Sequence, residues 1–423
     1  MRSRQASAAL LLGAVGVIAM ATLVPAGGVP ATRVPPAWCL VCGPAWLADA
    51  VANVVLFLPL GAAMYVGRRG VRAAGVVGLT VSLAVELVQW SGWLGSRSPA
   101  IADVATNTIG TLVGWATMPA ARAVRGSAGA SARRLANAWG GMVVLVLVGT
   151  SLLLQPAVPR NAAGETITRP SRFSYSPAFG YFGGEIRAVS FNGQPIPHPG
   201  YGPLVREAMA LGDTFRLELQ LRRLEPTMTR RSIVFVHAAG DSTPVLMLAQ
   251  HGSRVELRQR TNAEAAGFTP LVLVHETGVW SPDEPVRIAA TSSSRTMAIT
   301  TLRNGRATSS QWSVTPLVGW ALWQSMIGPG HGGARLVHGG WIVVLFLPLG
   351  WLVTGTRPGR PVIGFDSSLL WPTTLALTLL LLPVAFGNPP VRLVDWLLVI
   401  GSYGTGTLLR RDNATRQSAG QAA

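Results

Sequence analysis

Polar residues in three pairs interrupt an otherwise apolar stretch of the chain at helical spacing: Asp49 and Asn53, Glu86 and Gln89, Asp103 and Asn107. Residues three or four apart lie on one face of a helix. Arg97 follows in the short segment SRSP. Two carboxylates beside one guanidinium can be held ionised by paired hydrogen bonds, whereas each alone is costly in hydrocarbon. The pattern therefore predicts a polar cluster centred on Glu86 and Asp103.

Six residues are the predicted binding set: Asn53, Glu86, Gln89, Arg97, Asp103 and Asn107. Glu86 and Asp103 are also candidates for a general acid or base. The structural alternative is that these residues pin helices or lie in the wet interface. It applies most to Asp49, Asn53 and Arg97, which lie near helix ends, whereas a functional cluster is favoured for Glu86, Asp103 and Asn107. The histidines show no ligand spacing, so we expect neither a metal site nor a cofactor.

Apolar segments long enough to cross a bilayer supply the helices that would position this cluster. Hydrophobic residues make up 49% of the 423 residues and charged residues 13%, a balance typical of membrane proteins. Segments of about twenty apolar residues can span the hydrocarbon core. About eight occur, at 7–25, 46–66, 73–93, 100–118, 139–156, 337–355, 367–386 and 392–409.

The arginines predict how these segments are oriented. They concentrate at the N-terminus, after the second, fourth and sixth segments, and in the C-terminal tail. Since positive residues mark the cytoplasmic side, we expect a multi-pass plasma-membrane protein with both termini cytoplasmic and residues 157–335 outside. Alternatively, the first segment is a cleaved secretory signal ending near VPAGG, which leaves the downstream topology unchanged.

The segment 157–335 has a different composition and predicts a water-soluble β domain. Its apolar residues alternate in FRLELQL, SIVFVHA, PVLMLAQ, RVELRQR, PVRIAAT and TMAITTL, and turn signals such as QHGS and RNGR separate them. Alternation over short runs indicates strands. Several such strands favour an extracytoplasmic antiparallel β-sandwich.

An internal repeat predicts a duplicated membrane unit. VVLFLPLG occurs at 54–61 and again at 343–350. We expect a transmembrane domain over 1–156, the β domain over 157–335, three further helices as a degenerate copy over 336–410, and a disordered tail over 411–423. Duplicated units occur in transporters, which keeps a transport function open.

The N-terminal motifs resemble the VanZ-like family of bacterial membrane proteins. The resemblance rests on DAVANVVLFLPLG, ELVQW and SRSPAIADVATNTIGTLVGW, within residues 8–118. It implies a cell-envelope role, associated with resistance to the glycopeptide teicoplanin, and no defined activity. The second copy departs from the pattern, since Ile342 replaces the Asn and Val399 follows Asp395 by four residues.

The outer segment is similar to concanavalin A-like or laminin G-like domains, which have a jelly-roll sandwich and often bind sugars. The resemblance rests on GDTFRLELQLRR, RSIVFVHAAGD, VELRQR and PVRIAATSSSRTMAITTLRNGR. It implies a cell-wall glycan or glycolipid as ligand. Candidate contacts are Trp280, His237, His251 and Arg258, and core or rim packing is the alternative for each.

Three functions remain open on the sequence. The first is a protein that binds a lipid or cell-wall precursor at the outer leaflet, the second an enzyme acting on a lipid head group, and the third a lipid or small-molecule transporter. No P-loop, nucleophile elbow or HExxH motif names a reaction. Membrane lipids are expected partners. The +17 net charge does not indicate nucleic acid, since no basic stripe is interleaved with aromatics. Cys39 and Cys42 are expected to form a local disulfide or to remain a pair of inert thiols, and a redox role is the alternative.

Overall fold

The computed structural model describes residues 2–23, 45–91, 100–157, 166–170, 180–195, 215–222, 230–238, 244–278, 284–293, 296–323, 331–355 and 367–422. Arg97, Trp280, Cys39 and Cys42 lie outside these residues.

Eight long helices occur in the described residues, one at each predicted apolar segment. They are α1 (Arg2–Leu23), α2 (Trp46–Val66), α3 (Val71–Trp90), α4 (Ile101–Gly126), α5 (Gly129–Leu153), α7 (His331–Thr354), α8 (Ser367–Phe386) and α9 (Leu393–Ala422), with a short α6 (Asn262–Ala265) and a 3₁₀ helix, η1 (Gly319–Trp323). Four are long and apolar enough to cross a membrane, namely α2, α3, α5 and residues Gly333–Thr354 of α7. The apolar parts of α1 and α8 are shorter, so about eight spans remains a prediction.

The long helices form two apolar cores. One core lies within α1–α3 and includes Ile18, Phe57 and Val85. The other joins α5 to α7–α9 and includes Leu147 and Phe346. We call α1–α4 the N-terminal unit, because α4 packs closely on α2 and α3, and α5 with α7–α9 the C-terminal unit. The fifth helix, which the sequence grouped with the first four, packs on the C-terminal helices.

Side-chain hydrogen bonds hold α5 in the C-terminal unit. The Trp139 indole donates to the Leu345 carbonyl at 2.8 Å, and the Trp371 indole donates to Asn137 Oδ1 at 3.0 Å. Gly140 lies directly against the ring of Trp371. Each unit therefore contains four long helices.

The described residues after α5 contain twelve strands, which form what we call the β domain. They are β1 (Thr166–Pro170), β2 (Gly180–Tyr181), β3 (Glu185–Phe191), β4 (Gln194–Pro195), β5 (Phe215–Arg222), β6 (Arg231–Ala238), β7 (Pro244–His251), β8 (Arg254–Gln259), β9 (Leu271–Glu276), β10 (Val286–Ser292), β11 (Thr296–Arg303) and β12 (Arg306–Ser313). One sheet has the order β1-β6-β7-β8-β9, with β2 beside β6, and the other β12-β11-β10-β5-β3-β4. All pairings are antiparallel except that of β2 with β6.

A single apolar core lies between the two sheets. Leu217 and Ile288 from one sheet and Leu248 and Leu257 from the other belong to it. All six segments predicted as strands are strands in the structure. The predicted RNGR turn joins β11 to β12, where Asn304 and Gly305 have φ of 46° and 72°. Positive φ at both central residues is the type I′ geometry that suits hairpins.

The β domain contacts both helical units at one end of the bundle. The Gly267 carbonyl accepts hydrogen bonds from the backbone N–H groups of Leu47 at 2.9 Å and Ala48 at 3.1 Å, in the first turn of α2. Asn262 Nδ2 donates to the Leu152 carbonyl, in the last turn of α5, at 3.2 Å. We call this end of the helices the β-domain end.

Candidate functional site

The polar cluster lies between α2, α3 and α4 near the β-domain end. Asn53 Nδ2 donates to Asp103 Oδ1 at 2.7 Å and so joins α2 to α4. Glu86 reaches α4 from α3, since its Oε2 accepts the backbone N–H of Ala100 at 2.9 Å. Ala100 is the N-cap residue of α4 and Asp103 lies in the first turn. Both carboxylates are therefore at the positive end of the α4 dipole, which favours negative charge.

Among the predicted binding residues that the structure describes, Asn107 is the most deeply buried, with 2% of its surface exposed. Its Nδ2 donates to Ser82 Oγ on α3 at 2.9 Å. Its Oδ1 is buried and accepts no hydrogen bond from the residues that the structure describes. A buried polar atom without a partner costs about 1–3 kcal/mol. This amide is therefore suited to a donor supplied by a water or a ligand.

Glycines bring α2 and α4 into backbone contact. A Cβ on Gly110 would overlap the backbone of Val54, and one on Gly114 the carbonyl of Leu58. A Cβ on Gly61 would overlap the Thr111 carbonyl. Small residues let helices approach this closely in a membrane. These glycines thus set the distance over which Asn53 reaches α4.

The structure brings together five of the six predicted binding residues. Glu86 and Gln89 are both 7% exposed on the same face of α3, beside the contacts of Asn53, Asp103 and Asn107. Arg97, the sixth, lies outside the described residues. Ser82 was not predicted, although it precedes Glu86 by four residues and so lies on the same helical face. Serine is common in membrane helices, so its presence alone does not mark Ser82 as a site residue.

A second polar cluster lies on the β domain. Glu256 is fully buried, and its carboxylate contacts Arg230 Nε at 3.3 Å, Arg258 Nη2 at 3.2 Å and His251 Nδ1 at 3.5 Å. Burial alone would raise the pKa of Glu256, but the His251 contact and the two arginine charges outweigh it and lower the pKa to about 2. Of the predicted sugar contacts, His251 and Arg258 thus belong to an ion-pair network around Glu256. The side chain of His237 lies outside the described residues.

A third cluster, in the C-terminal unit, was missed by the sequence reasoning. The Trp320 indole donates to His338 Nδ1 at 3.1 Å, and His338 Nε2 lies 3.0 Å from Asp395 Oδ1. Since Nδ1 accepts, Nε2 carries the proton and donates to Asp395. Arg392 Nε lies 3.1 Å from Asp395 Oδ2. Asp395 is fully buried, so this chain of bonds satisfies a carboxylate that would otherwise be costly.

None of the described residues form a group of three or more His, Cys, Asp or Glu side chains that could hold a metal ion.

A family match covers the helices that hold the first cluster. Residues 9–122 match the family model VanZ/LLP1. The N-terminal unit is VanZ-like. The match spans α1 to α4, ends before α5, and with the apolar helices supports a membrane protein. Neither a curated protein nor a solved structure matches the chain, so the likeness of the β domain to concanavalin A-like and laminin G-like domains stays a prediction.

Proposed function

We propose that this VanZ-like membrane protein binds the head group of a lipid, or of a lipid-linked cell-wall precursor, at the outer leaflet. The observation that carries the proposal is the buried Oδ1 of Asn107, which accepts no hydrogen bond from the described residues. It lies in a cluster that also holds Glu86 and Asp103. Polar groups inside a membrane bundle are expensive, and they mark ligand or ion sites.

The orientation of the chain is part of the same proposal. With both termini in the cytoplasm, the β domain lies outside the cell and the cluster lies at the outer leaflet beneath it. Arginine-rich connections at the opposite end of the helices support this orientation. Arg68, Arg69 and Arg125, for example, lie at the ends of α2 and α4 that are remote from the β domain.

We further propose that the β domain recognises a cell-wall glycan or glycolipid and that binding changes sensitivity to teicoplanin. Its direct contacts with α2 and α5 support a joint role with the membrane units. A glycan array probed with the full chain in detergent tests this part. Binding of cell-wall fragments supports it, and a blank array contradicts it.

A deletion strain complemented with variants tests the membrane site. We expect Glu86→Gln and Asp103→Asn to fail to restore the wild-type teicoplanin sensitivity, while Glu185→Gln, which changes an exposed carboxylate of the β domain, restores it. Equal membrane levels of all variants are checked by immunoblot. Full restoration by Glu86→Gln and Asp103→Asn would contradict the proposal.

Lipid extracts and muropeptides from the same strains separate binding from catalysis. Binding predicts altered sensitivity with unchanged lipid and cell-wall chemistry. A lipid species that changes on deletion, and that wild type but not Glu86→Gln restores, indicates instead an enzyme with Glu86 as general acid or base.

A further inference from the structure

The two helical units repeat one helix pair in detail. In the N-terminal unit Gly61 of α2 meets the Thr111 carbonyl of α4, and in the C-terminal unit Gly350 of α7 meets the Tyr403 carbonyl of α9. Gly114 meets the Leu58 carbonyl, and the corresponding contact of Gly406 is with the Leu347 carbonyl. A constant offset of 289 along the first helix and 292 along the second relates these contacts.

The same offsets align the polar clusters of the two units. Asp103 corresponds to Asp395, and Asp49 corresponds to His338. In both units the aspartate of the second helix accepts a hydrogen bond from the first helix, from Asn53 in one and from His338 in the other. The C-terminal unit therefore contains a counterpart of the VanZ-like site.

Trp320, in the 3₁₀ helix η1 that follows β12, contacts this counterpart site. Trp320 is 4% exposed and donates its indole N–H to His338. Its ring also packs on Trp312 of β12, with centroids 5.3 Å apart. His338, which corresponds to Asp49, thus accepts a hydrogen bond from the largely apolar side chain of Trp320.

In the N-terminal unit no described side chain takes the place that Trp320 has in the C-terminal unit. Asp49 is exposed, and no described residue donates a hydrogen bond to its carboxylate. The described polar residues of this site carry three carboxylates and no basic side chain: Asp49, Asn53, Ser82, Glu86, Gln89, Asp103 and Asn107. The charged groups among these described residues are all acceptors, so a ligand that brings a positively charged donor suits the site.

We propose that Asp49 is a ligand contact, and that it binds a primary ammonium group where Trp320 lies in the C-terminal unit. The inference rests on the proposed function and names the chemistry of its ligand. A charged N–H donor suits a carboxylate better than a neutral hydroxyl, because charge-assisted hydrogen bonds are about twice as strong. The ammonium can belong to a lipid head group or to a soluble amine.

Native mass spectrometry of the purified full chain tests the inference with phosphatidylethanolamine and phosphatidylglycerol of identical acyl chains. We expect wild type to retain phosphatidylethanolamine preferentially. Asp49→Asn should weaken this retention about tenfold, Asp49→Glu should largely keep it, and Glu185→Gln should leave it unchanged. Excess free ethanolamine distinguishes a lipid head group from a soluble amine as the ligand. It displaces phosphatidylethanolamine only if the ammonium group alone is enough for binding.

Two results would overturn the assignment. One is equal retention of the two lipids by wild type, and the other is an Asp49→Asn variant that retains phosphatidylethanolamine as wild type does. If Glu86→Gln and Asp103→Asn lose the lipid while Asp49→Asn keeps it, Asp49 is no contact and the proposed function stands. If all three keep it, both proposals fail.

Discussion

Asp103 and Asp395 hold equivalent positions in two copies of one helix pair, each eight residues before the carbonyl that a glycine of the neighbouring helix contacts. Each aspartate accepts a hydrogen bond from that neighbour, but from side chains one helical turn apart. The two helix pairs have the same backbone packing and the same acceptor, and they differ in the position of the donor. The two helix pairs therefore share their backbone packing and differ in the side chain that donates to the aspartate.

The close helix contact is tested by adding a methyl group. We expect Gly114→Ala and Gly406→Ala each to destabilise the chain by about 1–3 kcal/mol, since the new Cβ overlaps a carbonyl of the neighbouring helix and must push the helices apart. Thermal unfolding in detergent, followed by circular dichroism, measures the effect.

The matched controls for this test are Gly126→Ala in α4 and Gly404→Ala in α9. A Cβ meets nothing within 4 Å at either glycine, so these variants should be neutral or slightly more stable, as alanine favours helix. Equal melting temperatures for Gly114→Ala and wild type would refute the proposed contact.

The hydrogen bond from Trp320 to His338 is tested by a substitution that keeps the aromatic packing. Trp320→Phe removes the indole donor and leaves His338 Nδ1 buried and unsatisfied, which should cost about 1–3 kcal/mol. Trp341→Phe is the matched control, because the Trp341 indole N–H is buried without a partner among the described residues. We expect only the first variant to lower the melting temperature, and equal shifts would argue against the bond.

The Glu256 network predicts a loss of stability in acid. The pKa of Glu256 is lowered from 4.5 to about 2 in the folded chain, so its ionised form is favoured by folding. The stability that it contributes is complete above about pH 4.5, and it is lost as the pH falls through 2. Unfolding of the β domain, followed by circular dichroism between pH 6 and 2, measures this.

The variant Glu256→Gln gives an independent check of the same network. It removes the buried charge that the mostly buried Arg258 contacts at 3.2 Å, which should cost about 3–5 kcal/mol at pH 7. It should also flatten the pH dependence below 4.5. Glu276→Gln removes an exposed ion pair with Arg254 and should change the stability by less than about 1 kcal/mol. A small effect of Glu256→Gln would mean that the network is not coupled to folding.

The proposed orientation is tested by labelling single cysteines in a background where Cys39 and Cys42 are serine. Ser309 is exposed on β12 and Ser131 is exposed near the start of α5. We expect a membrane-impermeant maleimide to label Ser309→Cys in intact cells and Ser131→Cys only after permeabilisation. The reverse pattern would mean that the chain has the opposite orientation in the membrane. Labelling of both cysteines in intact cells would contradict the proposed orientation.

Local patterns predicted the elements well because their causes are local. Strict alternation identified strands such as β10, whose residues alternate between buried and exposed. It missed β12, because RATSSQWS is largely exposed and carries no apolar face. The spacing of Asp103 and Asn107 likewise predicted one face of one helix, which is the face that meets α2 and α3.

Long-range relationships were harder to predict. The partners of α5 lie beyond the whole β domain, and an apolar helix does not reveal which apolar surface it contacts. His338 and Asp395 are separated by 57 residues, and Ile342 replaces the asparagine whose position would have drawn attention to this helix. The backbone contacts of the glycines align the two units. In that alignment His338 lies one helical turn before the position of Asn53, and each donates a hydrogen bond to the aspartate of the neighbouring helix.

The insertion of the β domain between α5 and α7 has a consequence for biosynthesis. When α5 leaves the ribosome, residues 154–330 must follow before α7 exists, at 5–20 residues per second. For roughly nine to thirty-five seconds the newly made α5 lacks the surfaces that bury Leu147 and partly cover Trp139 in the finished protein. Lipid tails, the insertion machinery or the already completed α1–α4 unit cover this face of the helix in the meantime.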